Sequence, residues 1–245
     1  MSSAQAYLDH LQALLSEIGA QELDAVHRAA ALIADALQGG GLLYLFGTGH
    51  SHMLAEEMFY RAGGLVAVYP ILEEGLMLHN GARKSSDMER VEGLARVILK
   101  NTPIRRGDAL LIASNSGRNA VPVEMAACAR ELGVSVIALT SMAHSTQVAP
   151  RNALGKRLYE LADVVLDNHG CLGDAALSLP GLDTPICPTS TAVGATLLQM
   201  LSAQVADELL RRGVTPDYFV SANLDGSEAR NEGHIRALAP RIKPL

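Results

Sequence analysis

Apolar residues recur at three- and four-residue intervals through Ala4–Ile18 and Gln21–Leu37. That spacing places them on one stripe of a helix, and Gly39-Gly40-Gly41 ends the second segment. The pattern then changes. Leu42–Phe46 is apolar throughout, as expected of a strand covered on both faces. A helix is expected from about Ser51 to Ala62, stopped by Gly63-Gly64, followed by a second strand at Leu65–Tyr69 and a long loop at Ile71–Ser86. Helix is expected again over Asp87–Leu99, strand over Ala109–Ala113, and helix over Val121–Leu132 with Pro122 in its first turn. Val134–Leu139 and Asp163–Leu166 read as the fourth and fifth strands, with a short helix near Leu154–Leu161 between them. A Gly- and Pro-rich loop runs to Pro188. A long helix covers about Thr191 to Arg212, and a polar tail holds a last helix near Glu228–Leu238.

Strands that alternate with helices imply a parallel sheet joined by right-handed crossovers. Five strands are too few to close an eight-stranded barrel. The expected fold is therefore α/β, doubly wound, with a flavodoxin-like five-stranded parallel sheet between helices. One domain spans residues 1–245, with a helical segment at 1–38 and a tail at 213–245. In this strand order the first and third strands are neighbours, and ligands bind over their carboxyl ends. The loops after Phe46 and Ala113 are the ones to read for chemistry.

Composition removes several function classes. With 49% hydrophobic and 19% charged residues, the chain can build a large core and is not disordered. A net charge of -6 argues against a nucleic-acid or membrane-surface binder, which needs a basic field. Cys128, Cys171 and Cys187 have no metal-type spacing, and so sparse a set fits a cytoplasmic protein. Asp9, His10 and Glu17 in the first helical segment leave no signal-peptide pattern. Thr184–Ala206 is uncharged, but its prolines, glutamines and hydroxyl residues make it a poor membrane span. It reads as a buried helix near a subunit contact of a homodimer or homotetramer.

The first strand ends in Gly47-Thr48-Gly49-His50-Ser51 and the third in Ser114-Asn115-Ser116-Gly117-Arg118-Asn119, each opening a helix. Glycines let the backbone approach a ligand closely, and helix N-termini attract phosphate. A strand-to-helix turn with a capping serine is the plainer reading of the first cluster. The second crowds five polar groups onto one strand end, more than turn chemistry requires. A dinucleotide site would place an acid near Ala67-Val68-Tyr69, and a P-loop would follow its last glycine with lysine and a hydroxyl residue. Both are absent. The anion is expected to belong to something smaller. His50 and His52 flank Ser51, but residues two apart on a helix face different ways, so no metal is expected, nor any other cofactor.

The stretch LLIASNSGRNAVPVEMAACARELGVSVIALTS carries strand, serine loop, helix and next strand in succession. With Leu42–Ser51 it resembles the SIS (sugar isomerase) domains over roughly residues 35–210, in the branch of phosphoheptose isomerase. The resemblance implies a phosphorylated sugar held by Ser51, Ser114, Ser116 and the Ser190-Thr191 pair, with Gly47, Gly49, Asn115, Arg118 and Asn119 around them. It also implies Glu57 as the base that moves a proton between adjacent carbons, though here the glutamate follows the serine about one turn sooner. The alternative for Glu57 is a surface pair with Arg61. The last long helix carries Gln199 and Gln204 where that isomerase uses a histidine, so His79 and His169 are the substitutes. Three functions compete: an aldose–ketose isomerase, an etherase-like lyase of the same fold, and a non-catalytic sensor of phosphosugars.

Overall fold

The computed structural model describes residues 2–245. Two helices come first, α1 (Ser3–Gln21) and α2 (Leu23–Gln38), followed by β1 (Leu43–Gly47), α3 (His52–Met58) and β2 (Val68–Ile71). Next are α4 (Ala82–Met88), α5 (Leu94–Lys100), β3 (Ala109–Ala113), α6 (Ala120–Leu132), β4 (Ser135–Thr140) and α7 (Met142–Ser145). The chain ends with β5 (Val164–Asp167), β6 (Ala175–Leu177), β7 (Ile186–Pro188), α8 (Ser190–Arg211) and α9 (Glu228–Leu238).

The main sheet has the order β2-β1-β3-β4-β5, and every pairing in it is parallel. This is the flavodoxin-like α/β arrangement expected from the sequence. Alternation along the strands divides the core in two. Leu43, Leu45, Leu111, Ala113 and Ile137 pack against α2, α3 and α8. Tyr44, Phe46, Leu110, Ile112 and Val136 pack on the other face, against α5 and α6. The register Gly47↔Ala113 ends β1 and β3 level with each other, and Ala113↔Leu139 brings β4 to the same height.

Four departures from the sequence reading have physical causes. First, α3 stops at Met58, because Phe59 turns extended and Tyr60 adopts φ 46 to set its ring edge-on to Phe219, 5.1 Å away. Second, Leu65 is bridged to Tyr218 instead of to the sheet. Val66 N–H donates to the Asp217 carbonyl at 3.0 Å, and Phe219 N–H to that of Gly64 at 2.9 Å. The C-terminal tail thus takes the residues expected to begin the second strand, and β2 starts at Val68. Third, the helix expected at Asp87–Leu99 is broken at Gly93 (φ 81), whose N–H is held by both oxygens of Glu124. Fourth, the loop after β5 contains an antiparallel hairpin, β6–β7, while the helix expected near Leu154–Leu161 is a single turn at Leu158–Glu160.

One apolar face of α8 is absorbed inside the chain, while Thr184, Pro185 and Pro188 before it are exposed. Val193, Leu197, Leu198, Leu201, Val205 and Leu209 are buried, each worth about 1.5–3 kcal/mol against exposure. Gly194 allows α3 to approach closely, since a Cβ there would lie 2.8 Å from Leu54 Cδ1. Among the described residues, no helix is long and apolar enough to cross a membrane.

Candidate functional site

Two strand-end loops and one helix end build the site. At the end of β1, a Cβ on Gly47 would collide with the Ser51 backbone. Glycine therefore lets Thr48–Ser51 fold back, with Ser51 N–H donating to the Thr48 carbonyl at 3.0 Å. The turn passes through Gly49 at φ 56, and the buried His52 ring rests on its carbonyl. At the end of β3, Ser114 N–H donates to the Leu139 carbonyl (3.0 Å), and Ser114 Oγ accepts from Gly117 N–H (3.3 Å). Gly117 has φ 56, and a side chain there would press on Ser145, Leu158 and Thr140. Asn115 is clasped across β4: its Oδ1 accepts from the amide of the buried Asn168 at 2.9 Å.

Ser51, Ser114, Asn115, Ser190 and Thr191 line one pocket, together with Asn168 and apolar Leu54, Ala113 and Leu139. The lining carries no charged side chain. Its volume is about 10 Å³. The N-terminus of α8 is already engaged by a carboxylate. Asp174 Oδ1 accepts from Thr189 N–H (3.2 Å) and Ser190 N–H (3.0 Å), and Oδ2 accepts from Ser190 Oγ.

Other residues singled out in the sequence lie around the pocket or away from it. Ser116 sits on the β3 loop, its carbonyl accepting from Ser145 Oγ at 3.0 Å. Arg118 is half-buried, and its Nε has no partner. Asn119 donates to Glu89 Oε2 at 2.9 Å, while Thr48 Oγ1 donates to Glu89 Oε1 at 2.7 Å. Glu89 thus ties the two loops together. Glu57 is paired with Arg61 and also accepts from Gln199 Nε2 at 2.9 Å. His79 is exposed, 6.1 Å from the His52 ring. His169 (φ 51) lies between Glu22 (3.0 Å) and Glu17 (3.4 Å), and fastens the end of β5 to the α1–α2 junction. Among the described residues, no group of three or more His, Cys, Asp or Glu side chains is placed to hold a metal.

Asp174, Asn168, Glu89 and His144 were not among the residues chosen from sequence. Asn168 had a signal, since it follows a strand end directly. Glu89 had none, because it lies in an ordinary helical pattern. His144 stands at the rim, its Nδ1 accepting from Gly173 N–H at 3.4 Å. Burial holds its pKa below the usual histidine value, and the Arg118 cation adds to this against the opposing pull of Asp174.

This geometry has relatives. A family model described as SIS domain matches residues 6–141. The chain belongs to the SIS domain family. A UPF0309 protein of Listeria monocytogenes serotype 4b is 42% identical over 239 residues, covering 98% of this chain and 97% of that one. A UPF0309 protein of Halalkalibacterium halodurans is 43% identical over 231 residues, covering 94% and 96%. SIS-fold structures align at lower identity. The phosphoheptose isomerase of Francisella tularensis has a TM-score of 0.56 at 15% identity, covering 84% of this chain and 98% of that one. That of Neisseria gonorrhoeae has a TM-score of 0.53 at 18% identity, covering 82% and 94%.

Proposed function

We propose that this SIS domain binds a phosphorylated sugar over β1 and β3 and interconverts its aldose and ketose forms. The observation that carries this reading is the convergence of Ser51, Ser114, Asn115, Ser190 and Thr191 on one uncharged pocket at the strand switch point. The phosphate is held among these hydroxyls and the α8 N-terminus, with Ser116 beside it on the β3 loop. Gly47 and Gly49 keep the backbone close, and Arg118 and Asn119 form an outer ring. Sharing a fold with two phosphoheptose isomerases is compatible with this assignment.

Proton transfer between adjacent carbons is assigned to Glu57. It stands six residues beyond Ser51 on α3, about 9 Å along a helix axis, and Gln199 holds it from the last long helix. His79 and His169 are the further candidates. The test is incubation with a panel of sugar phosphates in D₂O, following deuterium at carbon-bound positions by NMR. Exchange is expected in the wild type and should fall about 10²–10⁴-fold in Glu57→Gln. Full exchange in that variant would move the base elsewhere. The pairing of Glu57 with Arg61 favours a second reading, a non-catalytic phosphosugar sensor. It predicts thermal stabilisation by the ligand without exchange. We further propose a cytoplasmic homodimer or homotetramer, which a monomer in sedimentation at micromolar concentration would reject.

A further inference from the structure

Among the described residues, four arginines are half-buried: Arg118, Arg157, Arg212 and Arg241. Three of them have a carboxylate at 3.9 Å or less, Glu160 for Arg157, Glu208 for Arg212 and Asp108 for Arg241. Arg118 is the exception. Among the described residues it pairs with no acid, and its buried Nε–H has no acceptor. The carboxylates around it are turned to other donors: Glu89 to Thr48 and Asn119, Glu92 to Ala153 N–H at 2.8 Å, and Asp174 to Ser190.

The neighbour that the fold gives Arg118 is a second cation. Asn119 forms an isolated parallel bridge with the exposed Arg151. The Arg118 carbonyl accepts from Arg151 N–H at 2.8 Å and from Asn152 Nδ2 at 2.9 Å. The backbone thus sets the two arginines side by side. Burial, and then the like charge of Arg151, hold the Arg118 pKa below the usual guanidinium value. A partly desolvated cation beside another cation is destabilising, and an anion from outside the chain relieves it.

This pair stands next to the hydroxyl-lined pocket. Arg118 lies three residues beyond Asn115, a span of at most about 11 Å, and Asn115 lines the pocket. Arg118 also acts on His144 at the rim together with Asp174, whose carboxylate holds the pocket residue Ser190. The pocket lining itself has hydroxyls and amides but no charged side chain. One end of a ligand therefore meets neutral donors, and the other meets two unanswered guanidiniums.

We propose that Arg118 and Arg151 form a subsite for a second anionic group, so that the ligand of this domain is a sugar phosphate carrying a carboxylate or a second phosphate at its far end. The substrate class rests on reading the pocket as the phosphosugar site. Both oxyanions fit the planar fork of an arginine.

The full-length protein is titrated calorimetrically with three open-chain ligands that differ only at carbon 1: glucitol 6-phosphate, 6-phosphogluconate and glucitol 1,6-bisphosphate. The carboxylate or the bisphosphate ligand is expected to bind at least about tenfold more tightly than glucitol 6-phosphate, the scale of hydrogen bonds between charged groups. The tighter of the two identifies the second group. Arg118→Gln and Arg151→Gln should each erase most of that preference, and Ser114→Ala should weaken all three ligands. Arg151 is exposed, so Arg151→Gln carries the test even where Arg118→Gln fails to fold. Equal affinity for the three ligands, or a preference that survives Arg151→Gln and a folded Arg118→Gln, overturns the subsite and leaves the phosphosugar site standing. An equal loss for all three ligands in the arginine variants also overturns it, because the pair then serves the first phosphate. Binding that needs the arginines but is indifferent to Ser114→Ala overturns the pocket as the phosphate site and leaves the anion subsite. Absence of binding by all three overturns both.

Discussion

Two aspartates close the two ends of the same sheet by different means. At the amino end, the Asp108 side chain is fully buried. It accepts from Leu42 N–H and Arg105 N–H, each at 2.8 Å, and from Arg241 Nη2 at 3.1 Å. At the carboxyl end, Asp174 is half-buried on left-handed backbone, and its donors begin a helix. The first carboxylate is saturated by the chain and has no reason to move. The second occupies donors that an outside anion would want. The cavities run the opposite way. About 340 Å³ lies at the amino end under α9, walled by Leu42, Leu65, Leu209 and Leu238, while the hydroxyl-lined pocket is tiny. Space and hydroxyl-rich lining are separated in this molecule.

The sharpest break would come from the buried partner. Asp108→Ala strands Arg241 and two backbone N–H groups. It should cost about 3–5 kcal/mol in urea unfolding, the range for breaking a buried ion pair. Asp174→Ala should cost about 0.5–2 kcal/mol, as for a lost helix cap. Equal costs would erase the distinction between the two ends.

Ser114→Ala should weaken sugar-phosphate binding by about 1.5–3 kcal/mol, the scale for hydrogen bonds to a charged group. Ser116→Ala should weaken it less, because Ser114 lines the pocket and Ser116 lies beside it. Calorimetry with both variants decides the order, and a larger loss at Ser116 would shift the phosphate outward. Gly47→Ala forces a Cβ against the Ser51 backbone. Overpacking should cost about 1–3 kcal/mol, and the ligand-induced rise in Tm should disappear with the deformed turn.

The smallest effect concerns pH. The folded-state pKa of His144 lies below the ordinary value, so between the two values the unfolded chain binds more protons. Stability should therefore fall as pH drops through about 6.5. Urea midpoints at neutral and mildly acidic pH should converge in His144→Gln relative to the wild type. An unchanged acid loss would remove the histidine from the account. Protonation would also cost Gly173 its acceptor, loosening the carboxyl end alone.

Much of this was legible in the sequence because each strand run is short, apolar and bounded by turn residues. Ala109–Ala113 was read to the residue for that reason, and Gly47 and Ser114 followed from the strand ends. What escaped depends on distant partners. Nothing local in Gly64-Leu65-Val66 says that Asp217–Phe219 will bond to it. Nothing local to Gly93 says that Glu124, thirty-one residues on, will hold its amide. Asp174 lies in a stretch of turn residues whose hairpin rests on only two register pairs. Its role comes from a helix that begins sixteen residues later.

The lacing of residues 63–66 by residues 217–219 also orders events in time. During synthesis the strands and crossovers emerge first and can collapse as a unit, but the segment 63–66 that leads into β2 then lacks its partner. Pro70 within β2 has no amide to offer a stray strand, and that guards the open side in the interval. Only when Tyr218 has emerged is the 63–66 segment paired, and only with Arg241 is the charge of Asp108 answered. A chain released before its last thirty or so residues would carry an unpaired 63–66 segment and a buried, unanswered carboxylate. The tail is thus the step that commits a nascent, reversible core to its finished state.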